Sequence, residues 1–199
     1  MTKKKITAAE LMARLNADPE FVAKSAREEE ERLKREAEYR RAEQPLLEEL
    51  HAAGFPVNSA WDFVNSPNTY GAAIPILMAH VGRPYPGPVR EGIARALGVP
   101  GAPGVDWKAL VRLYIAETES RPKSGLAVAL AAAASDDRLD ELTELASDPR
   151  HGSSRLLLLS ALERSADPRA RTALIGLGTD PGLAKEIQVI LRRLKRVKR

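Results

Sequence analysis

Leucine-like residues recur in this chain at one fixed interval. Met78, Leu110, Leu142 and Leu174 are each 32 positions apart, and Val81, Leu113, Leu145 and Leu177 follow the same step. Ile93, Leu126, Leu158 and Ile190, with Leu97, Leu130, Leu162 and Leu194, keep steps of 33, 32 and 32. An interval of this size held over at least three copies marks a solenoid, in which each repeat seals the apolar side of the next.

Each interval has room for two helices and their turns. Asp148-Pro149, Asp167-Pro168 and Asp180-Pro181 punctuate the array: aspartate caps a helix and proline is preset for its first turn. The spacing predicts four hairpins. The first runs from about Tyr70 to His80, with Pro75 inside and bending it, and then from Pro88 to Leu97. The second has Trp107, capped by Asp106, to Glu117 and Pro122 to Ala134; the third Asp137 to Ala146 and Ser153 to Ala166; the fourth Pro168 to Gly178 and Pro181 to Val197. No segment carries the alternating β-branched pattern of a strand. The expected fold class is therefore all-α, a solenoid of about four hairpins, right-handed if it follows the resemblance described below.

Ahead of the array, Thr7-Ala-Ala-Glu10 reads as a capping box for a helix to about Asn16, and Asp18-Pro19 restarts the helix. From Glu20 to Ala42 the chain is mostly charge, with i,i+4 pairs such as Glu30 with Lys34 and Glu36 with Arg40. Phe21, Val22, Leu33 and Tyr39 make only a thin apolar stripe, so this arm is either a solvated helix or a strand for a partner. Pro45 is expected to start a new helix carrying Leu46, Leu47 and Leu50 up to Gly54. Ser59-Ala-Trp-Asp62 is expected to be a second capping box, with Pro67 ending the turns it opens. Three regions follow: a charged arm over 1–42, an irregular helical cap over 43–69, and the repeat array with a basic tail over 70–199.

Charge and chemistry narrow the function. The net charge of +4 resides in the tail: the first 53 residues carry 11 Lys/Arg against 12 Asp/Glu, residues 54–191 carry 14 against 15, and the last eight carry 6 against none. A strongly basic groove along the array is not expected. Arg192, Arg193, Lys195, Arg196, Lys198 and Arg199 are suited either to their own helix C-terminus or to phosphate. The absence of cysteine excludes disulfides and thiolate sites and fits a reducing cytoplasm. His51, His80 and His151 are not in metal-ligand spacing, and the sequence has no phosphate-cradling loop, nucleophile elbow or dinucleotide fingerprint. No apolar stretch is long enough for a signal peptide or a membrane span. A chain with no cofactor, no metal and no catalysis is the expectation.

Val89-Arg90-Glu91-Gly92-Ile93-Ala94-Arg95-Ala96-Leu97-Gly98 resembles the second helix of a HEAT repeat, of the bacterial type found in phycobilisome lyase relatives. The third and fourth hairpins resemble it through Asp148 followed by Arg155 and Asp180 followed by Lys185; in the second, Lys123 stands near the arginine position with no turn aspartate before it. The likeness spans about residues 70–197 and implies a scaffold or adaptor that docks a protein on a concave face, with an immunity-type inhibitor as a concrete version. The alternative is a nucleic-acid-binding protein resembling the helical-repeat alkylpurine DNA glycosylases. Arg90, Lys123, Arg155 and Lys185 are the candidate binding ladder, and two roles are open to them: engaging an acidic partner, or pairing with turn aspartates and helix-end carbonyls of the repeats. Among the aromatic residues Trp61, Trp107, Tyr70, Tyr85 and Tyr114, Tyr85 in Pro84-Tyr-Pro-Gly-Pro88 is expected to be the exposed anchor, while Trp61 and Trp107 are expected to pack.

Overall fold

A computed structural model describes residues 6–64, 66, 69–102 and 104–197. Within them the chain is all-helical, with no strand. It divides into two compact units, Met1–Arg41 and Ala42–Arg199.

The helix signals of the first unit are realised closely. Helix α1 is Ala8–Asn16, and its capping box is complete: the Glu10 amide donates to Thr7 Oγ1 at 3.2 Å and the Thr7 amide donates to Glu10 Oε2 at 3.0 Å. No residue of α1 is buried, and Ile6, Leu11 and Met12 are about half exposed. Helix α2 is Pro19–Ala52, with Asp18 Oδ1 accepting from the Glu20 amide. Lys3, Lys4 and Lys5 lie outside the described residues.

Pro45 does not start a helix; it lies inside α2. Its missing N–H and ring cost about 3 kcal/mol in a helix interior. Burial of Leu46, Leu47 and Leu50 just beyond it, each at about 1.5–3 kcal/mol, offsets that cost and carries the helix through. The helix ends where the glycine was expected to end it. Gly54 takes a φ of 87°, its amide donates to His51 O, and the Phe55 amide reaches back to Leu50 O at 2.9 Å, the two bonds of a Schellman cap.

Helix α3 is the single turn Trp61–Val64, and its cap differs from the expected box. Asp62 Oδ2 accepts from the Asn58 amide at 2.7 Å, while Ser59 Oγ accepts from the Trp61 amide at 3.3 Å and donates to the buried Glu43 carboxylate. Pro67 lies outside the described residues.

Eight further helices complete the second unit: α4 (Ile74–His80), α5 (Gly87–Ala96), α6 (Trp107–Ala116), α7 (Ser120–Ala133), α8 (Leu139–Ser147), α9 (Arg155–Arg164), α10 (Pro168–Leu177) and α11 (Ala184–Val197). Pro75 falls in the first turn of α4, after a 3-10 turn at Gly71–Ala73, so it does not bend the helix. There its missing amide is one the helix leaves unbonded in any case. At each aspartate–proline boundary the carboxylate accepts from the amide two residues on: Asp148 from Arg150, Asp167 from Arg169 and Asp180 from Gly182.

Helices α5, α7, α9 and α11 touch in chain order, and α4, α6, α8 and α10 each pack on the helix that follows. Gly125 sets the closeness of α5 to α7. A Cβ there would stand 2.8 Å from Glu91 O and 3.0 Å from Ala94 Cβ, so no larger residue fits without separating the pair. Leu110, Leu142 and Leu174 are fully buried, as are Ile93, Leu130 and Leu158, while Leu126, Leu162 and Ile190 are nearly so. The first column is one residue out of step in the first hairpin, where Leu77 occupies the sealed position and Met78 is half-buried.

Two truncations test this core. Leu142→Ala, at a fully buried site, is expected to cost about 2–5 kcal/mol in urea unfolding. Ile175→Ala, at a position 56% exposed, should stay within about 0.5 kcal/mol of the parent.

Candidate functional site

The four cations of the expected ladder all fall in the first turns of second helices, where the helix dipole disfavours positive charge. Three of them find compensation inside the protein. Arg90 donates through Nε to Tyr85 O at 3.0 Å and pairs with Glu117 and with Glu119 in the turn of the next hairpin. Lys123 is buried, donates to Glu117 O at 2.8 Å and lies 5.0 Å over the Tyr114 ring. Arg155, 6% exposed, donates to Gly152 O at 3.1 Å and Ala146 O at 3.3 Å and pairs with Asp180 at 2.5 Å, again in the next hairpin's turn. Lys185 is exposed. Glu117 O and Ala146 O belong to the last turns of α6 and α8, where carbonyls lack helical partners and attract cations. These side chains tie each hairpin to itself and to its successor.

Tyr85 is not the exposed anchor. It is half-buried, its hydroxyl lies 2.6 Å from His80 Nδ1 and its ring is parallel to the imidazole. His80 is fully buried, with Nε2 3.0 Å from Glu49 Oε1. Trp61, expected to pack, is the more open ring at 37% exposure, although Nε1 donates to Pro88 O and the indole lies against Gly92. Trp107 is buried and donates to Glu141 Oε2 at 2.6 Å, and Tyr70 donates to Ala96 O. On α11, Arg192, Arg193, Lys195 and Arg196 are exposed, Arg193 pairing with Glu163 and Glu186; Lys198 and Arg199 lie outside the described residues.

A cleft of about 710 Å³ opens elsewhere, between α6 and α8 and over the turn that leads into α9. Spacing alone did not reveal it, because its wall comes from two different helices and its floor joins Lys123 to His151 and Ser154, far along the chain. Val111, Ile115 and Leu145 form an aliphatic side, Ile115 being 55% exposed. The floor is polar and internally bonded. Ser154 Oγ donates to His151 O at 2.7 Å, which leaves Tyr114 Oη as the donor in its 2.8 Å bond to Ser154 Oγ. Tyr114 is completely buried, so it is not an interface anchor; its hydroxyl supports the floor through Ser154. Burial pushes its hydroxyl pKa up, and burial holds the Lys123 ammonium below the usual lysine range.

His151 is the one floor residue with an open polar atom. It is 8% exposed, its ring tilts against Tyr114 at 4.7 Å, Nε2 is 3.9 Å from Asp148 Oδ2 and Nδ1 has no hydrogen-bond partner. Burial, then the neighbouring Lys123, lower its pKa; Asp148 opposes them, and Arg150 and Arg155 add to them. Among the described residues no group of three or more His, Asp or Glu side chains is arranged to hold a metal, and no helix is long and apolar enough to cross a membrane.

Two measurements probe this site. Arg155→Ala strands Asp180 and two carbonyls and should cost about 3 kcal/mol, whereas Lys185→Ala should be nearly neutral in the same urea titration. With the His151 pKa held below its ordinary 6.5, the unfolded chain binds the extra proton. Stability is therefore complete above that value and falls as pH drops below it. Between pH 7.5 and 5.5 the parent should lose more melting temperature than His151→Gln; equal losses would remove His151 from the account.

No family model, no curated protein and no solved structure matches this chain. Its function has to be argued from its own side chains.

Proposed function

We propose that residues 70–197 form a HEAT-like, right-handed solenoid of four hairpins, α4/α5, α6/α7, α8/α9 and α10/α11, that docks a protein partner and performs no chemistry of its own. The stacking is supported by the chain-order contacts of α5, α7, α9 and α11 and by the like burial of Leu110, Leu142 and Leu174. The forward pairing of Arg90 and Arg155 into the next hairpin supports it as well.

One observation carries the docking role: the α6–α8 cleft joins an aliphatic wall, open to water at Ile115, to a floor already fixed by internal hydrogen bonds. A preformed surface loses little ordering entropy on binding, and isoleucine held half in water at its mouth gains by being covered. The binding face is accordingly centred on this cleft, with the row of second helices behind it. Scaffolding, adaptor action and the immunity-type masking of a partner's active surface all use such a rigid face, and a reducing cytoplasm suits a cysteine-free chain.

Duplex nucleic acid fits less well. Arg90, Lys123 and Arg155, three of the four rungs of the expected ladder, are already engaged by acids and carbonyls. A photoreactive phenylalanine analogue placed at Ile115 should yield a discrete protein adduct in native extract, one that an analogue at Lys185 does not give. Duplex binding whose steep salt dependence survives deletion of residues 192–199 would replace the protein reading with the nucleic-acid one.

A further inference from the structure

The charge around the cleft identifies what enters it. Four carboxylates line it: Glu117, Glu141, Glu144 and Asp148. Glu117 is held by Arg90, and Asp148 is held by Arg150 at 2.6 Å and by the Arg150 amide. Glu141 gives one oxygen to Trp107 Nε1 and keeps Oε1, while Glu144 is exposed. Two cations line the cleft. Arg150 is bound to Asp148, and Lys123 is sunk in the floor against Glu117 O and the Tyr114 ring. The exposed cations of α6, Lys108 and Arg112, make no ion pair with Glu141 or Glu144 among the described residues.

The uncompensated charge at the mouth is therefore negative. Glu141 and Glu144 stand three residues apart on one face of α8, a like-charge spacing that costs a few tenths of a kcal/mol. Beside them runs the aliphatic strip of Val111, Ile115 and Leu145. An aliphatic stem ending in a cation matches both features at once, since lysine and arginine bury their methylenes along apolar surface and keep the charged head beside water and carboxylate.

We propose that this cleft is the recognition site for a basic side chain on an extended segment of a partner protein, the stem lying on Val111, Ile115 and Leu145 and the head between Glu141 and Glu144. The proposal rests on the docking role above and specifies its occupant. Arginine is favoured over lysine, because its planar fork reaches two carboxylates at once.

The test uses the full chain and three end-blocked, fluorescently labelled peptides: Leu-Arg-Leu-Arg-Leu, the same peptide with citrulline for arginine, and Leu-Glu-Leu-Glu-Leu. Anisotropy titrations should give binding of the arginine peptide, at least about tenfold weaker binding of the neutral citrulline peptide, and none of the acidic one, tenfold corresponding to 1.4 kcal/mol. Glu144→Gln, whose exposed side chain supports no other residue, should weaken the arginine peptide severalfold, and Glu141→Gln with Glu144→Gln about tenfold. Glu28→Gln with Glu30→Gln on α2 should change nothing. Equal affinity for the arginine and citrulline peptides, parental affinity in Glu144→Gln, or binding of the acidic peptide would overturn the proposal. The photoadduct at Ile115 separates the two levels: if it persists in the Glu141→Gln, Glu144→Gln protein, docking stands and the basic occupant falls, and if it is absent from the parent, both fall.

Discussion

The second unit depends on cations held where helices leave carbonyls unbonded. A positive side chain in the first turn of a helix opposes the dipole, and Arg155 is almost wholly buried there. It is stable because Ala146 O, Gly152 O and Asp180 converge on it. The same contact that satisfies the guanidinium closes the end of α8 and fixes where the α10–α11 turn must lie. Arg90 acts likewise toward Glu117 and Glu119, and Lys123 toward the end of α6. Leucine columns supply the attraction between hairpins, but attraction is non-directional; the directional bonds at the turns select one register.

This arrangement also explains why the cleft lies where it does. Polar contacts concentrate at the turn ends, so the floor of the α6–α8 cleft is made of Lys123, His151 and Ser154, with the buried Tyr114 hydroxyl bonded to Ser154. Near the C-terminal end of α6, Ile115 is left in water. A cleft with a fixed floor and an apolar, acidic mouth results from the packing of these helices. The first unit is a contrast: α1 buries nothing, and the charged stretch of α2 is held by exposed i,i+4 pairs such as Lys34 with Glu30. Such pairs contribute a few tenths of a kcal/mol each, enough to favour a helix and too little to define a core.

Much of the helix punctuation was legible in the residues. Thr7 with Glu10, Asp106, and the aspartate–proline steps act through bonds two or three residues away, and they formed as the local pattern predicts. The misreadings share a cause. Pro45 failed to break α2 because Leu46, Leu47 and Leu50 are buried beyond it; Ser59 caps Trp61 and also reaches Glu43; and Tyr85 closed on His80. In each case burial or a side-chain partner added to or outweighed the local preference, the largest of which is the cost of about 3 kcal/mol at Pro45.

By itself the sequence determined that the chain is helical, roughly where its helices begin and end, and which leucines share an environment, because capping, proline geometry and periodic burial are local or nearly local constraints. Tertiary structure alone decided that Leu77 and not Met78 is the sealed residue of α4, that three of the four periodic cations are engaged inside the protein while Lys185 is exposed, and that Glu141 and Glu144 line the cleft mouth beside Ile115. Those outcomes depend on which groups meet across 25 to 40 residues of chain, and a charged side chain's role is set by whether it finds a partner there.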